Sequence, residues 1–497
     1  MTEQNIQENK ELNLLEAMIP AIILIALLAY NILMKDGGWL GEYSNHYILL
    51  MAGGIAAIVG FFNKVSFRTM IMEVWENLQS VFTPLMILLL VGALAGTWMM
   101  SGIVPAMVYY GMQILNPTIF LTASVLICTI ISLATGSSWT TTATVGIALI
   151  GIAGAMDIPL GMAAGAIISG AYFGDKMSPL SDTTNLAPAM AGGDLFSHIQ
   201  YMALTTVPSI ILTLIVFIII GLTADTSGQV MGSSVINDML LDKFNISPWL
   251  FAVPFIVVGI IMMKVKPILA LSIGALLGAA CMVIFQPEVI KELTGATTLT
   301  FTEYFSAITN SLFSGTQLST PAFVETADLP VKLKDKLPDL LAGKGMSGML
   351  WTIYLIIAAM VFGGVMDGIG ALARITRSLL RIATTTFGLF AATVTSCLAL
   401  NITASDQYLA IVVPGKMFKQ AYKDQGLAPE NLSRTLEDSG TVTSVLIPWN
   451  TCGAYQSSVL GVSVFDYFIY AIFNWLSPIM TLIFAAFSIK IKQLVAK

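Results

Sequence analysis

Charged residues are scarce in this sequence: Asp, Glu, Lys and Arg together make up 10% of the 497 residues, against 56% hydrophobic residues. A soluble domain has about 25% charged residues, so too few charges are present to cover a water-soluble protein of this size. This scarcity excludes a cytosolic enzyme, a secreted domain and a disordered chain. Polar residues occur in short stretches between long apolar runs, which predicts an all-α polytopic membrane protein embedded in a lipid bilayer.

Cysteine and histidine are also rare, with four and two residues respectively. The cysteines have no CxxC spacing and no neighbouring histidine cluster, so neither a disulfide framework nor a zinc site is indicated. The sequence also lacks a GxSxG motif, a phosphate-binding P-loop, an HExxH motif and a dense basic patch. We therefore expect no enzymatic activity, no cofactor and no nucleic-acid partner. The polar, acidic start is unlike a cleavable signal peptide, so the first apolar run is expected to remain as a span.

Long apolar runs, by contrast, are abundant. A bilayer core of about 30 Å requires roughly 20 apolar residues per helix. Runs of this length occur at 14–34, 45–62, 80–100, 197–222, 247–263, 266–286, 347–366 and 464–489. Four further apolar stretches are interrupted by polar residues, glycine or proline, at 118–155, 159–190, 384–413 and 430–462.

The interruptions are informative because backbone at membrane depth stays non-helical only inside protein or beside a water-filled cavity. We interpret 118–155 and 384–413 as re-entrant hairpins, and 159–190 and 430–462 as single broken spans. The alternative is that each break is a surface loop between two short spans. The first interpretation predicts about ten transmembrane helices plus two re-entrant hairpins.

The distribution of lysine and arginine predicts the orientation of this arrangement, because short cytoplasmic loops carry an excess of both. With the hairpins placed as above, one side of the membrane collects Lys10, Lys64, Arg68, Lys264, Lys266, Arg374, Arg377, Arg381, Lys416, Lys419, Lys423, Arg434, Lys490, Lys492 and Lys497. We therefore predict that both termini lie in the cytoplasm. The long segment 287–346 then lies on the other side, as an extracytoplasmic insertion.

The two halves of the chain resemble each other at an offset of roughly 268–270 residues. ICTIISLATGSSW at 127–139 aligns with SCLALNITASDQ at 396–407, and Pro159 aligns with Pro429. Five spans in each half place the second half upside down relative to the first. Such inverted repeats, with broken helices meeting near the midplane, are a recurrent architecture of secondary transporters.

These observations predict two inverted-topology repeats. The first repeat covers 1–222 and the second 247–497, with a linker at 223–246. Each repeat contains one hairpin and one broken span, and the second repeat also contains the insertion at 287–346.

The interruptions carry mainly hydroxyl, amide and carboxylate oxygens. Hard cations such as Na⁺ prefer oxygen ligands, and unwound helix ends add backbone carbonyls. No thiolate or imidazole joins the cluster, which argues against a transition metal. The candidate ion- or substrate-binding residues are Thr135, Ser137, Ser138, Thr140, Asp175, Ser178, Asp182, Thr183, Thr184, Asn185, Thr403, Ser405, Asp406, Glu437, Asp438, Thr441, Thr443, Asn450 and Thr451.

The intramembrane carboxylates are the strongest candidates, because charges at membrane depth are costly and mark functional sites. Asp406 is the first candidate for carrying the proton, since it stands where the first repeat has the neutral Ser137, and Asp175 is the second. The candidate Na⁺ ligands are Ser137, Ser138, Asp182 and Asp406.

Each carboxylate also has a purely structural interpretation. Asp175 can pair with Lys176, which would hold it ionised. Asp182 and Asp406 can cap helix N-termini, and the Glu437-Asp438 pair can mark an interfacial helix start.

Three of the interrupted segments resemble a known family. LATGSSWTTTATVG at 133–146, ISGAYFGDKMSPLSDTTNLAPAMAG at 168–192 and LEDSGTVTSVLIPWNTCGAY at 436–455 strongly resemble the NhaC-type sodium/proton antiporters. The resemblance implies a bacterial inner-membrane protein with inverted repeats and paired hairpins, which transports Na⁺ and H⁺. A homodimer is possible, since many relatives in the wider superfamily are dimers. The same motifs are also similar to those of sodium-linked malate/lactate antiporters.

We therefore expect a secondary active transporter that exchanges Na⁺ for H⁺ by alternating access. Coupling requires only a carboxylate that binds either Na⁺ or a proton. The first alternative is an organic-acid antiporter of the malate/lactate type. An anionic substrate requires a cationic or donor-rich pocket, and Lys176 is the only basic residue expected at membrane depth. The second alternative is a channel, which opposed hairpins and inverted repeats suit less well.

Overall fold

The computed structural model describes residues 12–35, 38–223, 229–263, 265–326, 337–381 and 383–494. Lys10, Lys264 and Lys497, which contributed to the predicted orientation, lie outside these ranges, as does part of the insertion, 327–336. The predicted positions of the two termini therefore stay predictions.

The first half of the described chain is helical between short connections. Its helices are α1 (Leu14–Lys35), α2 (Ser44–Phe62), α3 (Phe67–Ser80), α4 (Phe82–Met100), α5 (Ile103–Ile114), α6 (Pro117–Thr135), α7 (Ser138–Ala155), α8 (Leu160–Met177), α9 (Asp182–Ala191), α10 (Leu195–Thr223) and α11 (Gln229–Lys243). Within α7, Thr142–Gly146 forms a π-helical turn.

The second half is also helical, apart from one two-stranded antiparallel sheet. Its elements are α12 (Ala252–Met262), α13 (Pro267–Phe285), α14 (Pro287–Thr294), α15 (Phe301–Phe313), β1 (Thr316–Gln317), α16 (Ala322–Thr326), β2 (Ala342–Gly343), α17 (Leu350–Gly368), α18 (Ala371–Arg381), α19 (Thr386–Thr403), α20 (Gln407–Asp424), α21 (Pro429–Leu436), α22 (Thr451–Leu460), α23 (Val464–Tyr467) and α24 (Ile472–Ala486). A π-helical segment, Glu437–Thr441, continues α21.

The helix lengths confirm a polytopic all-α membrane protein. Within the described residues, nine helices are long and apolar enough to cross a bilayer. A tenth results if Val235–Lys243 and Pro248–Met262, which are bent by 87°, form one span. The nine include α6 and α7, so each arm of the first predicted hairpin is long enough to span by itself. The re-entrant path of both hairpins stays a prediction.

The chain breaks where the polar interruptions predict. The first hairpin turns at Gly136, whose φ of +69° suits glycine, and α7 then begins after its N-cap Ser137. The second hairpin turns at Ser405, with a φ of +60°, and α20 begins after its N-cap Asp406. Asp406 therefore has the capping role considered above, and its Oδ1 accepts from the Leu409 amide at 3.0 Å.

The helix bounds recur at an almost constant offset. The first residues of α4 and α17 differ by 268, and those of α6 and α19, α7 and α20, and α9 and α22 each differ by 269. Ser181 and Asn450 cap α9 and α22, and both helices end at left-handed glycines, Gly192 and Gly461. This recurrence concerns the helix bounds alone, and the two inverted-topology repeats stay a prediction.

Several segments differ from their predicted form. The span at 247–263 contains a 3₁₀ turn followed by the 11-residue α12. The span at 464–489 breaks between α23 and α24. The linker at 223–246 contains α11, and the insertion at 287–346 contains the helices α14, α15 and α16. In the linker and the insertion, short helices lack the long apolar run that marks a span, whereas the breaks within 247–263 and 464–489 interrupt apolar runs without a polar signal.

Helices α6 and α8 approach each other backbone to backbone. A Cβ at Gly170 would lie 2.2 Å from the Val125 carbonyl oxygen, and one at Gly174 would lie 2.5 Å from that of Thr129. The Ser132 hydroxyl donates to the Ala171 carbonyl oxygen at 2.6 Å across the same contact. Small residues permit such close approach between membrane helices, which places the end of α8 beside the turn of the first hairpin.

Replacing Gly170 by Ala should separate α6 from α8 and destabilise the protein by about 1–3 kcal/mol, the usual range for overpacking. The matched control is Gly54→Ala in α2, where a Cβ would meet no atom within 4 Å. Thermal unfolding of the purified protein in detergent measures the effect. Equal melting temperatures for the two variants would contradict this packing.

The insertion is packed tightly rather than forming an open loop. A Cβ at Gly96 in α4 would lie 2.1 Å from the Ser311 carbonyl oxygen of α15. Outside the spans, Glu292 accepts hydrogen bonds from the Ser319 amide and hydroxyl, both at 2.7 Å, and from the Lys243 ammonium at 2.9 Å. Partial burial disfavours the charged carboxylate, but these hydrogen bonds outweigh burial and hold the pKa of Glu292 below its usual range.

Because the folded-state pKa of Glu292 is lowered, its contacts stabilise the insertion fully above the unfolded-state pKa of about 4.3. That stabilisation is lost as the pH falls through the lowered folded-state pKa. Glu292→Gln should therefore speed hydrogen exchange in the peptide containing Ser319 at pH 7, with a much smaller difference at pH 3. A difference between variant and parent that is independent of pH would contradict this role of the carboxylate.

Candidate functional site

The turn of the first hairpin binds the end of α8. The Ser138 amide and hydroxyl both donate to Asp175 Oδ2, at 3.0 and 2.7 Å. Ser138 is buried, because α7 begins there against α8, whereas Asp175 is partly exposed. The structure thus brings Ser138 to Asp175, as the oxygen-rich breaks of one repeat suggest.

Asp175, Asp182 and Asp406 each retain some exposed surface and lie within electrostatic range of the Tyr408 hydroxyl, and we call them the accessible carboxylates. Asp182 is exposed, while Asp406 retains 7% of its surface. Asp182 acts electrostatically on Asp175, and all three act on the Tyr408 hydroxyl. Carboxylates from both halves of the chain therefore lie within electrostatic reach of one point.

The turn of the second hairpin is held by amides. The Asn401 amide donates to the Gly440 carbonyl oxygen at 2.8 Å and to the Thr443 hydroxyl at 3.0 Å. The Asn450 amide in turn donates to the carbonyl oxygen of Asn401 at 3.1 Å. The Thr451 amide donates to the Ser405 carbonyl oxygen at 2.9 Å, which fixes α22 to this turn. Asn401 and Asn450 are therefore structural links between the second hairpin and the second broken span.

The two halves also touch through aromatic rings. Trp139, at the start of α7, stacks on Tyr455 of α22, with ring centroids 3.9 Å apart and an interplanar angle of 16°. The Tyr455 hydroxyl donates to the Trp139 carbonyl oxygen at 3.1 Å. This contact joins the first hairpin to the second broken span beside the accessible carboxylates.

A buried ion pair lies deeper in the protein. The Lys176 ammonium contacts Asp438 Oδ1, and both side chains are fully buried. The Thr205 hydroxyl donates to Asp438 Oδ2 at 2.8 Å, and the Thr481 hydroxyl donates to the same oxygen. The interpretation that Asp175 pairs with Lys176 is therefore wrong. Lys176 extends from α8 to Asp438 in the π segment of the second half, while Asp175 projects toward Ser138.

Glu437 lies beside this pair and is fully buried. Thr441 is one helical turn away, yet within the described chain no donor makes a hydrogen bond to either Glu437 oxygen. Lys176, Asp175 and Asp438 act electrostatically on it. Burying a carboxylate without a partner is costly, so Glu437 requires a proton or a bound cation.

Arg434 is a second fully buried basic residue. Its guanidinium carbon lies 4.6 Å from the centroid of the Tyr201 ring, with Phe390 and Phe484 within 6 Å. Its place on the cytoplasmic side of the membrane stays a prediction, and nothing in the sequence indicates that its side chain is enclosed by aromatic rings.

The remaining candidates mainly bond nearby residues. Asn185 is exposed, while Ser178, Thr183, Thr441 and Thr443 are buried. Most of their partners lie within the same hairpin or break: Thr135 to Ser132, Thr140 to Ser137, Ser178 to Leu180, Thr183 to Ser181, Thr184 to Lys176, Asn185 to Pro179, Thr403 to Ala399 and Thr443 to Ser439. Thr443 also accepts from Asn401 of the second hairpin, as described above. Local bonding satisfies these groups without excluding a transported ion as a further partner.

Sequence reasoning missed the hydroxyl groups that surround the buried pair. Thr205 belongs to α10, while Ser477 and Thr481 belong to α24, and Ser477 lies 3.3 Å from the Lys176 ammonium. Both helices carry an internal proline, Pro208 and Pro478. The available signal was a hydroxyl residue close to a proline in a long apolar run, and it was overlooked.

Buried charges between broken helices of a multi-pass membrane protein are features of a secondary transporter. A family model described as the Na⁺/H⁺ antiporter family matches residues 170–489. The chain belongs to this family.

Individual relatives cover most of the chain. It is 38% identical over 441 residues to the Na⁺/H⁺ antiporter NhaC of Alkalihalophilus pseudofirmus, covering 88% of this chain and 89% of that one. It is 33% identical to the Na⁺/H⁺ antiporter NhaC of Bacillus subtilis, over 82% of this chain and 84% of the relative. It is also 32% identical to the malate-2H⁺/Na⁺-lactate antiporter of Bacillus subtilis, over 86% of each chain. The expected family resemblance is confirmed.

Replacing Lys176 by Met should leave Asp438 as an uncompensated buried charge and destabilise the protein by about 3–5 kcal/mol. The double variant Lys176→Met, Asp438→Asn should recover most of this loss, because Asn still accepts from Thr205 and Thr481. Thermal unfolding in detergent measures both, with the exposed Lys416→Met as control. A single variant as stable as the control, or no recovery in the double variant, would contradict the pair.

Proposed function

We propose that the chain exchanges Na⁺ for H⁺ across the bacterial inner membrane by alternating access, with no enzymatic activity. Family membership supports antiport. The observation that carries the proposal is the hydrogen bonding of Ser138 to Asp175 at a hydroxyl-rich turn. Asp182 from the first half and Asp406 from the second lie within electrostatic range of the same Tyr408 hydroxyl as Asp175. Oxygen ligands of this kind are those that hard cations prefer.

In this proposal Na⁺ binds among Ser137, Ser138, Asp182 and Asp406, within reach of Asp175. Hydroxyl and carboxylate oxygens replace part of the hydration shell of the ion. The Ser138 hydroxyl, which donates to Asp175, presents its lone pairs to a cation without losing that hydrogen bond. Asp175 is thus held in place by Ser138 whether or not Na⁺ is present.

Coupling follows from competition between the two cations. A carboxylate that binds a proton loses its charge and releases Na⁺, and a bound Na⁺ displaces the proton. Asp406 is the first candidate for this exchange and Asp175 the second. Glu437 carries the same requirement for a cation deeper in the protein, and Lys176 balances the charge of Asp438 there. The carboxylates therefore form a sequence of increasing burial from Asp182 to Glu437.

A second candidate function is organic-acid antiport, because one relative is named a malate-2H⁺/Na⁺-lactate antiporter. A carboxylate substrate requires a cationic partner. Lys176 is occupied by Asp438, and the guanidinium of Arg434 lies among aromatic rings away from the accessible carboxylates. The geometry therefore favours cation exchange. Proteoliposomes with an internal pH dye, supplied in turn with Na⁺, Li⁺, K⁺, malate and lactate, discriminate the two functions.

Asp406→Asn tests the proton-carrying role. Asn also caps helices, so the variant should fold and insert, but it cannot carry a proton. We expect Na⁺-driven proton movement in proteoliposomes to fall at least tenfold across about pH 6–9, because the variant has no titratable group at position 406. Asp424→Asn, exposed at the other end of α20, is the matched control and should retain antiport.

Normal antiport in Asp406→Asn would leave Asp406 as a helix cap only. The same measurement on Asp175→Asn would then decide whether the second candidate carries the proton. A parent protein that moves no protons in response to Na⁺ but does so with malate or lactate would overturn the cation proposal itself. A homodimer is compatible with either function and stays a prediction.

A further inference from the structure

One buried titratable side chain has no part in the mechanism above. His198, in the first turn of α10, is fully buried. Its Nδ1 lies 2.8 Å from the Ser433 hydroxyl of α21, and its Nε2 has no hydrogen-bond partner among the described residues. Buried imidazoles normally bond through both nitrogens. A ring bonded at one nitrogen only is able to accept or release a proton at the other.

The charges around His198 place it beside the buried ion pair. Lys176 of α8 and Asp438 of the π segment act on it electrostatically. The Asp438 carboxylate is bonded by Thr205, seven residues and thus about two helical turns further along α10. Arg434 follows Ser433 on α21, and Tyr201 lies one turn on in α10. Helices α6 and α24, which also pack on α10, contain no charged residue.

On the side away from the ion pair, His198 contacts a helix face that reaches the protein surface. Ser433 follows Glu430 by one turn of α21, and its hydroxyl reaches the Glu430 carbonyl oxygen at 3.3 Å. The Glu430 carboxylate accepts from the Lys492 ammonium at 2.6 Å. Lys492 is 45% exposed, while the Glu430 side chain is 10% exposed. Residues 430, 433 and 437 lie on one face of the helix and its π continuation, with His198 packed against the middle of that face.

We propose that His198 is a proton relay between the surface at Glu430 and Lys492 and the buried Lys176–Asp438 pair. This role rests on the proposed Na⁺/H⁺ exchange and adds the route that the proton takes. His198 touches the transferred proton, whereas Ser433 positions the ring and forms the outer step.

Each transfer balances without another reactant. The Ser433 hydroxyl rotates away from the Glu430 carbonyl oxygen, gives its proton to Nδ1 and takes one from a hydronium ion that enters beside Glu430. Nε2 gives its own proton through a water molecule to the Asp438 carboxylate. The imidazole is neutral before and after the transfer, and only N–H and O–H bonds form or break. Export of a proton reverses the same steps. The relay thus supplies the inner carboxylates, and through Glu437 the accessible ones, with protons from one side of the protein.

His198→Gln tests the relay, because glutamine keeps a polar side chain of similar size but does not titrate. Na⁺/H⁺ exchange and Na⁺/Na⁺ exchange are measured in the same proteoliposomes, the first with a pH dye and the second with radioactive Na⁺. Na⁺/Na⁺ exchange requires no proton, so only the first rate depends on a relay. His46→Gln is the matched control, since His46 is the other histidine of the sequence. His46 lies in α2, and its Nε2 bonds the carbonyl oxygen of Trp351 in α17 at 2.9 Å.

We expect His198→Gln to slow Na⁺/H⁺ exchange at least tenfold, in line with the usual weight of a positioned acid–base group, while Na⁺/Na⁺ exchange changes less than about twofold. His46→Gln should change neither rate. If both rates fall together in His198→Gln, or neither falls, the relay is overturned. Failure of the proposed function gives a different result: the parent protein itself shows no Na⁺/H⁺ exchange.

If His198→Gln fails to insert into the membrane, two variants of Ser433 test the relay instead. Ser433→Ala removes the hydroxyl that bonds Nδ1, and Ser433→Thr keeps it. The relay predicts slower Na⁺/H⁺ exchange in the alanine variant, recovery in the threonine variant, and normal Na⁺/Na⁺ exchange in both. Equal Na⁺/H⁺ rates in the two variants would overturn the relay.

Discussion

The buried pair of Lys176 and Asp438 is the interaction on which the arrangement of the two halves depends. It joins α8 to the π segment after α21, across 262 residues of sequence, where neither side chain has access to water. Taking two charges out of water is repaid only when their remaining hydrogen-bonding groups are satisfied. Thr205, Thr481 and Ser477 meet that condition from two further helices. Four segments from both halves therefore converge on one pair of charges.

The two hairpins have the same backbone conformation at the turn but different functional groups beside it. Gly136 and Ser405 adopt the same left-handed turn, and Ser137 and Asp406 cap the helices that follow. A hydroxyl and a carboxylate cap equally well. The second half thus gained a titratable group at its turn without any change in helix position. A function that needs neutral oxygens and an acid in one place is obtained from a single repeated motif.

Sequence reasoning located the breaks because their causes are local. Glycine at the first turn, cap residues before α7, α9, α20 and α22, and polar runs at membrane depth all leave signals within a few residues. No local signal identifies Asp438 as the partner of Lys176, because several other carboxylates could have formed the same ion pair. The burial of Arg434 leaves no signal either, because hydropathy ignores the aromatic rings that surround it. The break between α23 and α24 lies within an apolar run, so no polar signal marks it.

The backbone contact between α6 and α8 has a mechanical consequence. Because residues 170 and 174 are glycines, no layer of side chains lies between the two helices. The contact therefore has no side chains that could slide past each other or repack. We expect these helices to move as one rigid body, which carries with it Ser138, at the start of α7, through its bond to Asp175 at the end of α8. The stacked rings of Trp139 and Tyr455 join the halves through side chains, and we expect a displacement between the halves to be absorbed there.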